Sequence, residues 1–493
     1  MQLSQLVVAA APLIEELTLP PWQAFQAIAN QPFPLFLDSA LENPSLGRYS
    51  YVTADPFALI RSRGTDVEWL RHSRWVPRQT SNPFQMLAEA LSRFRTAPLP
   101  PPELPPFQGG AAGLFGYDLC HHLERLPRAR IDEFAVPDMA VGFYDWVYAY
   151  DHARERGWLI STGFPELEPA LRCERAAARL SEAKRRLACP TSKEQWAPRS
   201  SIASVSEEVV EPELRHPLPL LPELYSSFRR QDFLSAIRRA IEYVHAGDCF
   251  QVNIAQRLLY PFRGHPLEIY RKLRERNPAT FAGYFDTGDF AVASASPERF
   301  LRSGADGQVE TRPIKGTRPR GNTADADRNN RVELEQSAKD RAENIMIVDL
   351  LRNDLGRVCE YGSVEVPDLC RVETYETVHH LVSVVRGRLR RDKSAVDLLR
   401  AAFPGGSVTG APKIRAMEII AELEPTARGP YCGSLGYIGF SGAMDTSILI
   451  RTFTIGKGWI QFPVGGGIVA DSEPENEYEE TLHKAAGMLR ALE

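Results

Sequence analysis

The chain has 493 residues, 43% of them hydrophobic and 25% charged, and 58 Lys and Arg set against 63 Asp and Glu leave a formal charge of -5. This is an ordinary soluble globular composition, with neither the basic field of a nucleic-acid binder nor a polybasic membrane signal, so a small molecule or another protein is the expected partner. Seven scattered cysteines with no CxxC pair argue against a disulfide framework or a structural zinc and point to a reducing, cytoplasmic setting.

At this length a single core stops growing, and two domains are expected. The apolar run Leu6 to Ile14 follows no basic stretch, contains Pro12 and leads into Glu15 and Glu16, so it reads as neither a signal peptide nor a membrane span. Prolines at 98, 100, 101, 102, 105 and 106 predict an extended, semi-rigid crossing into a region rich in glycine (Gly109, Gly110, Gly113, Gly116). A helix-like Arg/Ala segment, 170–188, is followed by a Ser/Glu/Pro-rich stretch with little periodicity. The division that follows is an N-terminal lobe (1–189), a linker (190–225) and a C-terminal domain (226–493).

In the C-terminal part Phe233, Ile237, Ile241 and Val244 share one helical face, with Asp232 as N-cap and Gly247 beyond the end. The segment 338–352 is apolar nearly all round and predicts a buried helix, and another helix is expected over 411–423. Short apolar runs at 435–440, 448–455 and 459–464, the last two divided by Gly456-Lys457-Gly458, predict an antiparallel meander. Ser472 and Glu475 read as a capping box, with Pro474 opening a helix over 474–491. Strands and helices without regular βαβ alternation give an α+β class.

Several residues could carry chemistry. Glu477 and Glu480 project from one helical face, as do Asp340 and Glu343; a divalent cation bridging the two helices would explain both pairs, and carboxylate ligation favours Mg²⁺ over zinc. The competing reading is a surface ion pair of Glu480 with Lys484, and Lys339 and Arg341 as counter-ions. Gly465, Gly466 and Gly467 would let a backbone approach a ligand closely. The segment 404–413 resembles a Walker A loop at Gly405 and Gly410 but has Ala411-Pro412 where the lysine and hydroxyl should stand, which argues against an ATPase. Arg451, placed inside an apolar strand, must snorkel or bind an anion such as a carboxylate. Lys315 lies among Arg312, Arg318 and Arg320, whose charge would lower its pKa and free a nucleophilic amine, unless the cluster is a solvated turn. His380 is an acid/base candidate or a hydrogen-bonded core histidine.

Taken together, SPERF (296–300), RPIKGT (312–317), KDRAENIMIVDLLRNDLGRV (339–358), VHHLVS (378–383), SVTGAPK (407–413), ILIRT (448–452) and GGGIVADSEPENEYEET (465–481) resemble, in order, the motifs of the chorismate-utilising enzymes. FLDSA (36–40), GRYSYV (47–52) and GGAAGLFGYDL (109–119) resemble the family's amino lobe. The resemblance implies a sandwich of two β-sheets flanked by helices. It makes Glu343 and Glu480 ligands of Mg²⁺, with Asp340 and Glu477 beside them; Glu298 the general acid; Lys315 a nucleophile; His380 an active-site histidine; and Ser407, Tyr431, Arg451 and Gly465 to Gly467 the surroundings of the substrate. Lysine at 315 is the residue of the 4-aminating branch, in folate synthesis, where anthranilate-forming members usually carry alanine. Gln251 stands where water-adding members keep a general-base lysine, so ammonia is the implied nucleophile, delivered by a separate glutamine amidotransferase subunit. Ser39, Arg48, Tyr49, Thr280, Phe281 and Ala282 match a pocket that holds tryptophan in relatives. The alternatives are an anthranilate-forming subunit and a non-catalytic tryptophan-binding one.

Overall fold

A computed structural model of the chain describes residues 12–41, 46–71, 74–77, 82–96, 104–189, 209–375 and 378–493. Their strands form two antiparallel sheets of 13 and 12 strands, so the class is α+β.

The first sheet runs from Leu13–Glu16 through Leu35–Asp38, Phe281–Asp286, Phe290–Ser296, Thr452–Gly456 and Trp459–Ile468 to Gln251–Pro261 and two short edge strands. The second places Gly110–Phe115 and Met139–Tyr144 beside Ser434–Gly439, Met444–Ile448 and Arg299–Ser303, and ends at Val378–Arg388 and Ile314–Pro319. Phe285 and Val292 of the first sheet pack with Ala112, Leu435 and Tyr437 of the second in one core. Outside the first sheet, Phe25, Leu187, Leu273 and Met488 bring four helices onto its other face. Leu87, Ile347, Leu351 and Leu399 do the same for the second. The result is helix, sheet, sheet, helix, with each layer burying an apolar face that would otherwise meet water.

Both sheets join the two sides of the 190–225 stretch. Leu35–Asp38 pairs with Phe281–Asp286, and Gly110–Phe115 pairs with Ser434–Gly439. Inside that stretch His216–Pro217 and Tyr225–Ser226 are edge strands of the first sheet, while 190–208 lies outside the described residues, as do 97–103 of the proline-rich crossing. Among the described residues no helix is long and apolar enough to cross a membrane.

The C-terminal strands depart from the expected meander. Ser434–Gly439 and Met444–Ile448 form a hairpin of the second sheet, whereas Thr452–Gly456 and Trp459–Ile468 form one of the first. The chain changes sheet at 449–451. It does so again at Pro297–Glu298, because Phe290–Ser296 pairs with Thr452–Gly456 while Arg299–Ser303 pairs with Met444–Ile448. The two crossings lie side by side, tied by Ile448 N–H donating to the Glu298 carbonyl (3.0 Å) and Ala295 N–H donating to the Arg451 carbonyl (3.0 Å).

Three helix starts also differ. The C-terminal helix, Pro474–Leu492, begins as expected, but its N-cap is Glu473 without a side-chain cap, and the Ser472 hydroxyl donates instead to Glu477 (2.7 Å). Arg230–His245 is capped at Arg229, leaving Asp232 in its first turn. Lys413–Leu423 starts later than 411 because Gly410–Ala411 pairs with Gln251–Pro261.

Candidate active site

Lys315 sits on the edge strand Ile314–Pro319, where the register slips between Lys315 and Thr317. Gly316 makes this bulge with φ +77°, and a Cβ there would lie 2.8 Å from Asp340 Cγ and from Leu334 Cδ1. Only glycine brings this strand so close to the Ala338–Gly356 helix. The Lys315 ammonium donates to the Ser407 carbonyl (3.4 Å), and the Ser407 hydroxyl donates to Glu298 Oε1 (2.8 Å). An amine from an edge strand of the second sheet and a carboxyl from the crossing between the sheets thus meet on one serine.

Their surroundings move both groups toward neutrality. Burial pushes the Glu298 carboxyl up to about 7, against the opposing pull of Ser407 and Lys315. Burial likewise lowers the Lys315 amine, opposed by Glu343, Glu298 and Glu480 and assisted by Lys484. The expected direction holds, but the expected cause does not. Arg312 is engaged by Glu373, Arg318 by Glu333 and Asp340, and Arg320 by Asp327.

The four acids come from two helices. Glu343 is half-buried and raised by burial, with Asp340 and Glu480 adding repulsion. Glu477 is buried and raised by burial, with Ser472 opposing. Burial acts on Glu480 as well, but Lys484, Lys339 and Lys315 outweigh it and hold that carboxyl below its usual value. The surface-type pair of Lys484 with Glu480 (2.6 Å) is present, and the same ammonium donates to the Gly465 carbonyl (2.9 Å), pinning the helix to its strand. A Cβ on Gly466 would stand 3.2 Å from Glu477 Oε2 and 3.6 Å from Glu480 Oε1. Among the described residues no three metal-ligating side chains converge closely enough to hold an ion as they stand. The donor chemistry, carboxylates repelling one another beside a side-chain-free strand, nonetheless fits a hard divalent cation.

The crossing at 449–451 corrects the placement of Arg451. It lies between strands, with φ +51°, exposed to solvent and without a carboxylate partner among the described residues. Its charge, after burial, helps to lower His380 to about 4, so that imidazole is neutral at pH 7. His380 is buried and its Nδ1 bonds the Thr317 hydroxyl (2.8 Å), the position after the bulge. Gly465 and Gly467 face Gln251–Pro261, and a Cβ on Gly467 would press on the Gln251 amide at 2.7 Å. Tyr431 is buried in the turn leading to Cys432, whose N–H donates to Leu449 (2.8 Å).

Sequence reasoning missed Arg428. Buried and paired with Glu424 (2.6 Å), it donates to the carbonyls of Val408 (3.0 Å) and Asn253 (2.9 Å) and lies against the rings of Tyr117 and Tyr431. It holds the Ser407 loop to the strand of Gln251. The i, i+4 spacing of Glu424 and Arg428 was its one signal, and that spacing is common on solvated helices.

The residues matched to a tryptophan pocket do line one cavity, of about 250 Å³, together with Arg299, Tyr437 and Asp445. Ser39 donates to the Tyr49 carbonyl (2.8 Å), and Arg48 is paired with Asp151 (2.7 Å), so neither polar group is idle.

An α+β sandwich in which paired strands change sheets beside a buried acid, a half-buried lysine and four carboxylates from two helices has the make-up of an enzyme active site. The family model for chorismate binding enzymes matches residues 41–490. The chain is 41% identical to aminodeoxychorismate synthase component 1 of Klebsiella aerogenes over 95% of its length and 96% of that protein's. It is 43% identical to anthranilate synthase component 1 of Thermus thermophilus over 84% and 83% of the two chains. The crystal structure of anthranilate synthase component I from Streptococcus pneumoniae superposes with a TM-score of 0.72 at 31% identity, covering 90% of this chain and 92% of that one. The protein belongs to the chorismate binding enzyme family.

Proposed function

We propose that the protein is the chorismate-aminating subunit of a 4-amino-4-deoxychorismate synthase, working toward p-aminobenzoate and folate, with ammonia as nucleophile. The observation that carries this reading is the meeting of Lys315 and Glu298 at Ser407. A buried carboxyl raised to about 7 keeps a proton to donate at neutral pH, and burial lowers the Lys315 amine toward its neutral, nucleophilic form.

In the forward direction the Lys315 amine adds at C2 of the chorismate ring, the ring double bonds shift, and the 4-hydroxyl departs as water with the proton of Glu298. Ammonia then adds at C4, the double bonds shift back, the C2–N bond to Lys315 breaks, and the new C4 ammonium returns one proton to Glu298. The amine is regenerated. Two displacements replace one difficult substitution. Arg451, unpaired at the crossing, faces a substrate carboxylate, and neutral His380 keeps a second positive charge away from Lys315. Glu343 and Glu480, with Asp340 and Glu477 beside them, would hold Mg²⁺, which neutralises the ring carboxylate and orients the substrate when bound.

Intact-protein mass spectrometry after mixing with chorismate and Mg²⁺, in the absence of ammonia, tests the covalent step. The expected result is a chorismate-derived adduct that maps to Lys315. Unmodified protein from a preparation that turns over once ammonium is added would refute it. The 43% identity with an anthranilate synthase component 1 favours 2-amination as the second reading. In that case anthranilate forms and no lysine adduct does.

A further inference from the structure

The segment 404–413 ends in Lys413, a largely buried lysine with no part in the catalytic steps above. Its ammonium donates to Asp354 (2.7 Å) and to the carbonyl of Ala402 (2.6 Å). Ala402 ends the helix Ala395–Ala402 and Lys413 begins the helix Lys413–Leu423, so one ammonium closes the loop between them at both of its ends. Ser407, which meets both Lys315 and Glu298, lies inside that loop. Burial pushes the Lys413 amine down and the Asp354 carboxyl up, each opposed by the charge of the other.

Asp354 belongs to the Ala338–Gly356 helix, and Glu343, Leu350 and Asp354 fall on one face of it, at successive offsets of about two turns and one turn. Leu350 packs on Gly406, where a Cβ would lie 2.4 Å from Leu350 Cδ2, and Arg357 donates to the Ala401 carbonyl (3.3 Å). The opposite face exposes Ile345 (40%), so this helix is not buried all round as its composition suggests. It acts as a rod between two parts of the site. Near one end stands Glu343, whose charge acts on Lys315; near the other, Asp354 anchors the Ser407 loop. A buried ion pair is weak evidence of stability, because apolar side chains of similar size often serve as well or better. What this pair adds is direction, since its ammonium must satisfy a carboxylate and a carbonyl at fixed places.

We propose that Lys413 and Asp354 form a positioning pair for amination, a clasp that holds Ser407 where its carbonyl meets Lys315 and its hydroxyl meets Glu298. The proposal rests on the aminating function above. Both residues act through Ser407. Without the clasp the loop still lies on the helix through Leu350 and is still held by Arg428 at the Val408 carbonyl, but Ser407 is free to shift. A misplacement of about 1 Å costs on the order of a hundredfold in turnover. The Ser407 hydroxyl also favours the ionised form of Glu298, so a loosened loop leaves that acid protonated to higher pH.

The test separates position from stability in the full-length chain. In the double variant Lys413→Met, Asp354→Leu, apolar side chains of similar size replace the pair, and the melting temperature is expected to match or exceed that of the unaltered chain. With ammonium as nitrogen source, kcat should nevertheless fall about tenfold to a hundredfold while KM for chorismate stays within about twofold, and the basic limb of kcat/KM against pH should move upward. Asp354→Asn keeps an oxygen for the ammonium without the charge; it should melt lower than the unaltered chain yet keep kcat within about threefold. A double variant that turns over as fast as the unaltered chain, or that does not fold, would overturn the proposal. So would Asp354→Asn losing kcat as the double variant does. If the unaltered chain does not aminate chorismate with ammonium, the functional reading fails and the clasp loses its role with it, a result distinct from an active chain that does not need the pair.

Discussion

Glu298 shows how far burial alone can move a common carboxyl. Folding raises its carboxyl from 4.5 to about 7, chiefly through burial, so its contribution to stability is complete at low pH and is lost as the pH climbs through about 7. Glu298→Gln removes that loss. The variant should unfold at higher temperature than the unaltered chain at pH 8, by at most roughly 3 kcal/mol, and show no such gain at pH 4. Its turnover should fall by about 10² to 10⁴. Thermal melts at the two pH values check the first expectation, and steady-state assays the second. Motif order singled out Glu298, Lys315 and the four acids as candidates in the sequence. The cause of the lysine's shift was not legible there, because the neighbouring arginines find partners only once the chain has folded. Arg428 showed only its spacing from Glu424, because the carbonyls it holds, Val408 and Asn253, are distant in sequence.

At the scale of elements, the strand Trp459–Ile468 separates two kinds of glycine. A Cβ on Gly465 would meet the Ile254 carbonyl at 2.6 Å, a backbone collision that only a sheet shift relieves, whereas one on Gly466 meets the end of Glu477 at 3.2 Å. Gly465→Ala should therefore lower the melting temperature, with a loss of about 2 kcal/mol. Gly466→Ala should leave it nearly unchanged and raise the Mg²⁺ concentration needed for half-maximal activity several-fold. Calorimetry and a Mg²⁺ titration distinguish the two. Helices in this region were readable because their apolar spacing and Pro474 are local signals. The change of sheet at 449–451 was not, since an apolar run interrupted by Arg451 looks the same whether it continues in one sheet or crosses to the other.

Over the whole molecule, a sheet is the unit that neither half of the chain completes. Residues 226–493 alone would lose Leu35–Asp38 from beside Phe281–Asp286 and Gly110–Phe115 from beside Ser434–Gly439, exposing unpaired edges in both sheets. That fragment should show no cooperative unfolding transition, while the intact chain does, as a denaturant titration followed by circular dichroism will report. Composition pointed to two domains because length alone suggests them; topology interleaves the segments instead, and strand pairing over such distances leaves no local trace. In the proposed function Lys315 directs the amine to C4. Incubating the purified chain with chorismate, Mg²⁺ and ammonium, and separating the products by liquid chromatography with mass detection, tests it most directly. The expected result is 4-amino-4-deoxychorismate from the unaltered chain and none from Lys315→Ala; anthranilate formed without an added lyase, or 4-amination that survives Lys315→Ala, would rule that role out.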